Sequence, residues 1–323
     1  MSRIIADAFG GDNAPLAVLQ GAVAARDEYG VEITLTGSRE KIEKCAAENG
    51  LSLDGIEIYD VPEVVSMHDD PSVVIKAKKE TSSMGAGLCL LAEGKGDAFI
   101  SAGSTGALMM GATFIAKRKK GIKRGAIATV MPAKNGPTVI LDSGANSDCR
   151  PEMLHQFAHL GCDYAERVLG ISSPRVGLLN IGTEDTKGDE LRLETYKLLS
   201  EDSELNFVGN IEARAIPDSL CDVLVCDGFS GNIAIKSIEG TAAFIMSLLK
   251  KGLYSSFRTK IGAMLAKPGL RQVKRRLDYS ELGGAPILGI SKPVIKAHGS
   301  SDAKAIKNAF NQAKKASEGG LCD

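Results

Sequence analysis

Short runs of apolar residues alternate along this chain with longer segments whose apolar positions recur every three or four residues. The runs predict β-strands at Arg3–Ala8, Val31–Thr36, Ile56–Asp60, Asp97–Ser101, Ala126–Met131, Thr138–Asp142, Val176–Ile181, Asp222–Cys226 and Val294–Ala297. The periodic segments predict helices, among them Pro15–Tyr29, Thr105–Lys117, Pro151–Leu169 and Ser301–Lys315. Apolar strands that alternate with helices are typical of a parallel sheet covered on both faces. The pattern therefore predicts an α/β fold with three layers, α/β/α, and a mostly parallel sheet.

The region from about 241 to 280 has a different pattern, with a wide apolar face interrupted by basic residues. Its apolar positions include Leu253, Phe257, Met264 and Leu265, and a basic run follows with Lys267, Arg271, Lys274 and Arg275. A basic amphipathic helix pair can lie on an anionic membrane, or its apolar face can pack on the core or a second subunit. The basic run suits anionic lipid headgroups or an acidic partner protein. We predict an amphipathic helical insertion within a single domain spanning residues 1–323.

Composition narrows the class of protein. The chain has 323 residues, 44% of them hydrophobic, and a formal net charge of −1. It is long enough to bury a large core, and its charge is unlike that of a nucleic-acid-binding protein. The chain begins directly on a predicted strand, and we find no uninterrupted apolar run of the ~18 residues that span a bilayer. We therefore expect a cytoplasmic protein, with its seven cysteines reduced because their spacing shows no pairs.

Glycine-rich segments with polar neighbours follow many of the predicted strands. They read DAFGGDNAP, SAGSTGAL, DSGANSD, NIGTEDTKGDE, CDGFSGNIAIK and IKAHGSSDAKAI. The glycines alone fit ordinary tight turns equally well. The Ser, Thr, Asn, Asp, Lys and His residues beside them favour a binding site. Because ligands of open parallel sheets bind outside the carboxyl ends of the strands, we expect one polar crevice assembled from these distant segments.

The segment FISAGSTGAL joins a predicted strand to a predicted helix, and its hydroxyls and N–H groups suit an anion. Three further residues lie in similar strand-end loops: Thr183 and Lys187 are candidates for the anion, and His298 for proton donation or orientation. A solvated surface lysine and a histidine held by backbone carbonyls are the open alternatives. The predicted anion-binding residues are Ser101, Gly103, Ser104, Thr105, Gly106 and Thr183.

The sequence lacks two common nucleotide-binding motifs and departs from a zinc-protease motif at one residue. The sequence contains neither G-x-G-x-x-G nor the Walker pattern. His155 and His159 lie four apart on a predicted helix, the spacing of two zinc ligands, but Gln156 stands where a zinc protease has glutamate. We expect ordinary helix histidines, no metal and no cofactor.

Taken in order, DAFGGDNAP, SAGSTGAL, NIGTEDTKGDE, CDGFSGN, GGAPILG and IKAHGSSDAKAI resemble the PlsX family of phosphate acyltransferases, from about Ile4 to about Ala313. Two residues depart from the family pattern, Phe9 in place of methionine and Ser147 in place of valine. The resemblance implies the isocitrate/isopropylmalate dehydrogenase-like fold and a homodimer that contacts the membrane peripherally. It also implies transfer of a long acyl chain from acyl carrier protein to inorganic phosphate, which supplies phosphatidic acid synthesis.

This chemistry fits the candidate residues. On this interpretation the SAGSTG turn and Thr183 hold phosphate, Lys187 supplies charge, His298 and Asn232 face the oxyanion or the leaving sulfur, and Asp227 orients one of them. The expected partners are acyl carrier protein, inorganic phosphate, a second copy of the chain, anionic membrane and a membrane glycerol-3-phosphate acyltransferase, with no nucleic acid. The alternatives are a phosphotransacetylase acting on acetyl-CoA, a nicotinamide-dependent decarboxylating dehydrogenase and a catalytically silent scaffold.

Overall fold

A sheet of 11 strands runs through the part of the chain that the computed structural model describes, residues 1–277 and 283–322 without the side chains of 274–277. The strands are β1 Arg3–Asp7, β2 Glu32–Gly37, β3 Ile56–Asp60, β4 Ala98–Ser101, β5 Ala126–Met131, β6 Thr138–Leu141, β7 Arg175–Asn180, β8 Asn206–Glu212, β9 Val223–Val225, β10 Ala285–Leu288 and β11 Val294–Lys296. Their order is β3-β2-β1-β4-β11-β10-β5-β6-β9-β7-β8. All the predicted strands are present, while β8 and β10 were not predicted.

The α-helices are α1 Leu16–Tyr29, α2 Arg39–Glu48, α3 Ser83–Ala92, α4 Thr105–Gly111, α5 Pro151–Arg167, α6 Glu190–Glu201, α7 Gly228–Leu253, α8 Phe257–Leu277 and α9 Ala303–Glu318. The predicted helix Thr105–Lys117 is divided, because α4 passes at Ala112 into a π-helical turn that ends at Lys117. Short 3₁₀ helices lie at Pro71–Ile75 and Ala213–Asp218.

Helices cover both faces of the sheet, as the alternating side chains of β1 show. Ile4 packs in a core that includes α1 and α9, whereas Ile5 packs on the other face with residues of α3 and α4. Successive strand residues point to opposite faces, so a strand that is buried on both must lie in a middle layer. Burial of a side chain such as Phe310 on α9, 0% exposed, contributes about 1.5–3 kcal/mol. This arrangement confirms the predicted three layers.

The strands do not all run in one direction. β10 pairs antiparallel with both β11 and β5, and β5 pairs antiparallel with β6. The pairs β6–β9, β9–β7 and β7–β8 are parallel. Consequently β6, β7, β8 and β9 run opposite to β1, β2, β3, β4 and β11. The carboxyl ends of the two sets therefore point to opposite edges, which corrects the expectation of a single edge.

The helix pair α7 and α8 forms the amphipathic region, but it begins earlier than predicted. α7 starts at Gly228, directly after β9, and buries Gly231 and Ile235 in its first turns. Its 26 residues span about 39 Å. Among the helices of the described residues, α7 is long and apolar enough to cross a membrane. Length and composition alone are weak evidence that a helix spans one. The sequence analysis found no such run because Lys236 and Glu239 interrupt it.

Candidate functional site

Asp7 lies at the centre of a first group of site residues, here called the Asp7 cluster: Asp7, Ser101, Gly103, Lys296 and His298. The Ser101 hydroxyl donates to Asp7 Oδ2 over 2.7 Å and accepts from the Gly103 N–H over 3.0 Å. A Cβ on Gly10 would lie 2.7 Å from the Gly103 nitrogen, so only glycine lets the β1–α1 turn lie on the β4–α4 turn. Burial raises the pKa of Asp7, and the Ser101 hydrogen bond opposes that rise.

Lys296 is the half-buried cation of the Asp7 cluster. It pairs with Ser101 in the parallel β4–β11 ladder, and its Nζ donates to the Ala102 carbonyl over 3.5 Å and to the carbonyl of Ala297. Burial lowers the pKa of Lys296 to about 8, and the charge of Asp7 opposes that change. Lys296 is therefore mostly charged at neutral pH, and it loses its charge as the pH rises through about 8. The sequence analysis assigned the positive charge to Lys187, and Lys296, which lies in the segment IKAHGSSDAKAI, was not among its catalytic residues. The signal available was a lysine at the end of an apolar strand, two residues before His298.

His298 is positioned by the turn that follows β11. Its Nδ1 lies 2.8 Å from the Ser300 hydroxyl and accepts from the Ser300 N–H over 3.2 Å. Because a backbone N–H only donates, the hydrogen of the neutral ring is on Nε2. Desolvation lowers the pKa of His298, as do the charges of Lys236 and Lys296, while Glu239 opposes them. At neutral pH the ring is therefore uncharged and offers an Nε2–H donor.

One face of α7 is directed to the Asp7 cluster. Asn232, Lys236 and Glu239 follow one another at the spacing of helix neighbours, and the last two act on the pKa of His298. Asn232 lies against the turn after β6, since a Cβ on Gly144 would be 3.6 Å from the Asn232 side chain. The first half of α7 thus joins the two halves of the candidate site.

Asp227 and Arg192 form the centre of a second group, here called the Asp227 cluster: Asp189, Arg192, Asp227 and Ser230. Asp227 caps α7 by accepting from the Ser230 N–H over 2.9 Å and from the Ser230 hydroxyl over 2.8 Å. It also pairs with Arg192, whose guanidinium reaches Ser230 Oγ at 2.8 Å and Asp189 at 3.0 Å. Both oxygens of Asp227 are engaged in these contacts, and its predicted orientation of His298 or Asn232 stays a prediction. Sequence reasoning missed Arg192.

The turn after β6 connects this cluster to the sheet. Both oxygens of the buried Asp142 accept backbone N–H groups, from Ile127, Gly144 and Ala145 at 3.0–3.1 Å and from Asn146 at 2.7 Å. The Asn146 carbonyl in turn accepts from the N–H of Gly228, the first residue of α7, over 2.7 Å. The start of α7 is thereby held on the carboxyl end of β6.

The predicted anion-binding residues fall in two groups. Ser101 and Gly103 are buried in the Asp7 cluster, and Ser104 caps α4, where Thr105 and Gly106 form the first turn. Thr183 and Lys187 are exposed in the loop after β7, which Asn180 fixes by donating to the Lys187 carbonyl over 3.0 Å. That loop leads into α6 and the Asp227 cluster. The two groups follow strands of opposite direction, and joint binding of phosphate by both groups stays a prediction.

A large apolar cavity of about 1280 Å³ lies on the other face of α7. Its walls include Phe229, Ile233 and Ile245 of α7 and, across from them, Leu179 and Leu191. Its polar end is formed by Arg192, Asp227, Ser230, Asn180, Ser147 and Asp148. Ligand pockets commonly measure ~300–1000 Å³, so this cavity has room for a long apolar group.

The predicted docking residues are found on or beside α8. Phe257, Met264 and Leu265 are 79%, 66% and 76% exposed, whereas Leu253 is half-buried. Lys267 and Arg271 are exposed, and the side chains of Lys274 and Arg275 lie outside the described residues. The amphipathic pattern is present, and what contacts it stays a prediction.

The sequence is similar to that of characterised families over nearly its whole length. A family profile described as "Fatty acid synthesis protein" matches residues 2–323. A "Phosphate acyltransferase" of Clostridium acetobutylicum is 48% identical over 321 residues, covering 99% of this chain and 96% of the relative. One of Thermoanaerobacterium thermosaccharolyticum is 47% identical over 312 residues, covering 97% and 92%.

Solved structures with the same architecture are more distant in sequence. EutD phosphotransacetylase from Staphylococcus aureus has a TM-score of 0.61 at 17% identity, covering 98% of this chain and 94% of that one. A 4-hydroxythreonine-4-phosphate dehydrogenase from Klebsiella pneumoniae has a TM-score of 0.60 at 10% identity, covering 98% and 100%. At such identities the likeness shows the fold alone. It confirms the predicted isocitrate/isopropylmalate dehydrogenase-like fold.

Proposed function

Because this chain belongs to the PlsX family of phosphate acyltransferases, the fatty acid synthesis proteins, we propose that it transfers a long-chain fatty acyl group from acyl carrier protein to inorganic phosphate. Phosphate acyltransferase activity in fatty acid synthesis follows from the family. The carrier-bound donor, the long chain and the use of the acyl phosphate for phosphatidic acid synthesis are the proposal.

The observation that carries the proposal is the convergence of cationic and donor groups around His298. Lys296 lies against the β4–α4 turn through its contact with Ala102, and Lys236 approaches the same histidine from α7. Together with the hydroxyls of Ser104 and Thr105 in that turn, these groups suit an anion with two charges. A phosphate dianion held there would have its charge balanced by the two lysines.

Such a site needs little further chemistry for acyl transfer. The phosphate dianion is itself the nucleophile, and the protein has to hold its oxygen within ~3–3.5 Å of the thioester carbonyl. Attack forms a P–O–C bond and a tetrahedral oxyanion, which N–H and hydroxyl donors stabilise. Collapse breaks the C–S bond and releases the carrier thiolate, whose pKa near ~8.5 makes it a good leaving group. We assign the Nε2–H of His298 and the amide of Asn232 to the oxyanion or the sulfur, and Lys187 and Thr183 to phosphate.

Two features support a long acyl chain over an acetyl group. The turn after β6 lies beside both the apolar cavity and Asn232, since Ser147 lines the cavity and a Cβ on Gly144 would be 3.6 Å from the Asn232 side chain. An acetyl group would leave the apolar walls of this cavity without a substrate contact. The exposed apolar residues of α8 have no purpose in acetyl transfer between soluble substrates.

The partners of the enzyme are proposed from its surface. Phe257, Met264 and Leu265 beside the exposed Lys267 and Arg271 suit an anionic membrane, and the same cations suit the acidic carrier protein. We further propose a homodimer, peripheral contact with the membrane from the cytoplasm, and delivery of the acyl phosphate to a membrane glycerol-3-phosphate acyltransferase.

Mass spectrometry tests the proposal directly. The protein is mixed with palmitoyl-acyl carrier protein and isotope-labelled phosphate, and the expected products are a labelled acyl phosphate and the free carrier thiol. A parallel reaction supplies acetyl-CoA instead. Faster turnover of acetyl-CoA would favour a phosphotransacetylase, and the absence of any acyl phosphate would overturn the proposal. A third reaction with nicotinamide cofactor and 2-hydroxy diacids should give no absorbance change.

A further inference from the structure

His155, His159 and Asp202 come together outside both clusters. The two histidines lie one turn apart on α5, and Asp202 is the residue that ends α6. The Nε2 atoms of His155 and His159 are 2.7 and 2.8 Å from the same atom, Oδ2 of Asp202. One ligand atom from each residue therefore lies within 4.8 Å of the other two.

The carboxylate is fixed so that one oxygen faces both rings. Asp202 Oδ1 accepts from the Glu204 N–H over 2.9 Å, and this bond directs Oδ2 to the histidines. The side chains of His155, His159 and Asp202 are 29%, 39% and 15% exposed, so the group is shielded but open to solvent on one side. Metal sites are commonly built with such backbone hydrogen bonds orienting the ligands.

We propose that His155, His159 and Asp202 bind one divalent cation of the zinc type. Imidazole nitrogen and carboxylate oxygen are ligands that Zn²⁺ prefers, at bond lengths of ~2.0–2.2 Å. Tetrahedral coordination at those lengths places ligand atoms roughly 3.3 Å apart, so each of the two contacts to Asp202 has to lengthen by about 0.5 Å to admit the metal. Water would occupy the fourth position.

Metal binding displaces the hydrogens of the present contacts. A carboxylate only accepts, so the hydrogen bonds to Asp202 require a hydrogen on Nε2 of each ring. Before Nε2 can bind the metal, that hydrogen leaves for Nδ1 of the same ring or for solvent. The two hydrogen bonds to Asp202 are replaced by three metal bonds.

The role of this site is to join α5 to the end of α6. The Gln156 side chain is engaged elsewhere, because its oxygen accepts from the Lys123 N–H over 3.0 Å and its nitrogen donates to the Gly121 carbonyl over 3.1 Å. It supplies no base for hydrolysis. Sequence reasoning set the histidine pair aside because Gln156 stands where a zinc protease has glutamate, and Asp202 lies in a distant segment of the sequence.

Zinc titration of the full-length, chelator-treated protein tests the proposal. The expected result is one zinc per chain by calorimetry and elemental analysis, with a rise in Tm of ~2–6 °C in excess metal. His155→Ala and Asp202→Asn should each weaken zinc binding by at least ~10-fold. If either variant fails to fold, His159→Gln replaces it and should weaken zinc binding in the same way. The control is His68→Ala, which changes an exposed loop histidine and should bind zinc like the unmodified protein.

A cobalt spectrum separates this site from the cysteines. Co²⁺ bound to His155, His159 and Asp202 should lack a thiolate charge-transfer band. The proposal is overturned if such a band appears, or if the three site variants bind zinc as tightly as the unmodified protein does. Zinc binding is independent of acyl transfer, so either result leaves the proposed function unaffected.

Discussion

Arg192 on α6 and Asp227 at the start of α7 form a largely buried ion pair, with side chains 13% and 6% exposed. The Ser230 hydroxyl donates to Asp227 and accepts from Arg192, so all three groups are bound to one another. Since Asp227 also caps α7, this pair fixes the helix that joins the two clusters.

Arg192→Met should therefore destabilise the protein strongly. Removing one partner of a buried pair leaves the other charge uncompensated, which costs about 3–5 kcal/mol of the free energy of unfolding. The measurement is urea denaturation of each variant. Arg214→Met is the matched control, because Arg214 is 82% exposed beside Glu212 and should change stability by less than ~1 kcal/mol. Equal losses in both variants would contradict the importance of the Arg192–Asp227 pair.

The sequence predicted most strands because continuous apolar runs mark strands that are buried on both faces. β8 lacks that signal, because it lies at the edge of the sheet and its sequence NFVGNIE includes several polar residues. It also contains Gly209, whose φ is 96°. β10 has four residues and includes Pro286. It is a strand only because antiparallel partners on both sides hold it.

The sequence also predicted that Ser101, Gly103 and His298 lie in one crevice, because segments that follow parallel strands such as β4 and β11 meet at one edge of the sheet. It could not predict that β10 is antiparallel to β11 and β5, or that β6 is antiparallel to β5. Thr183 and Lys187 therefore follow a strand that runs opposite to the strand of Ser101, and strand direction follows from pairing rather than from local pattern. Arg192 was missed because it lies within a helix, where an arginine looks like an ordinary surface residue.

The pH dependence of activity should report the charge of Lys296. Its pKa is lowered to about 8, so the free enzyme loses this positive charge as the pH rises through that value. Phosphate is already largely a dianion there, and kcat/KM for phosphate should fall, approaching a ~10-fold loss per pH unit above it. Lys296→Arg keeps its charge and should remove this decline. An unchanged decline in that variant would exclude Lys296 as its cause.

His298→Ala should lower kcat for acyl transfer by about 100-fold. The substitution removes the Nε2–H donor proposed for the oxyanion or the sulfur, and loss of one such donor typically has an effect of this size. Steady-state kinetics with palmitoyl-acyl carrier protein provides the measurement. His68→Ala alters an exposed histidine of the loop after β3, to which the mechanism assigns no role, and should leave kcat within about twofold of its original value. A comparable kcat for His298→Ala would remove the histidine from the mechanism.

Lys187→Met should raise the KM for phosphate. A hydrogen bond to a charged group contributes about 1.5–3 kcal/mol, which corresponds to a ~10–100-fold change in KM. The KM for the acyl carrier substrate should stay constant, because the prediction places Lys187 on phosphate alone. Lys197→Met removes an exposed lysine from α6 and serves as the control. A phosphate KM that is equal in the two variants would leave Lys296 and Lys236 as the cations of the site.

Replacing Met264 and Leu265 together by glutamate should abolish binding to anionic vesicles while sparing turnover of soluble acyl carrier substrate. Each buried apolar side chain contributes about 1.5–3 kcal/mol, so losing both removes ~3–6 kcal/mol of membrane affinity. Co-sedimentation with vesicles measures the binding. Met67→Glu is the matched control, since Met67 is 61% exposed but lies outside α8. If the double variant still sediments, the membrane does not contact this face of α8, and Lys267 and Arg271 are then better assigned to the carrier protein.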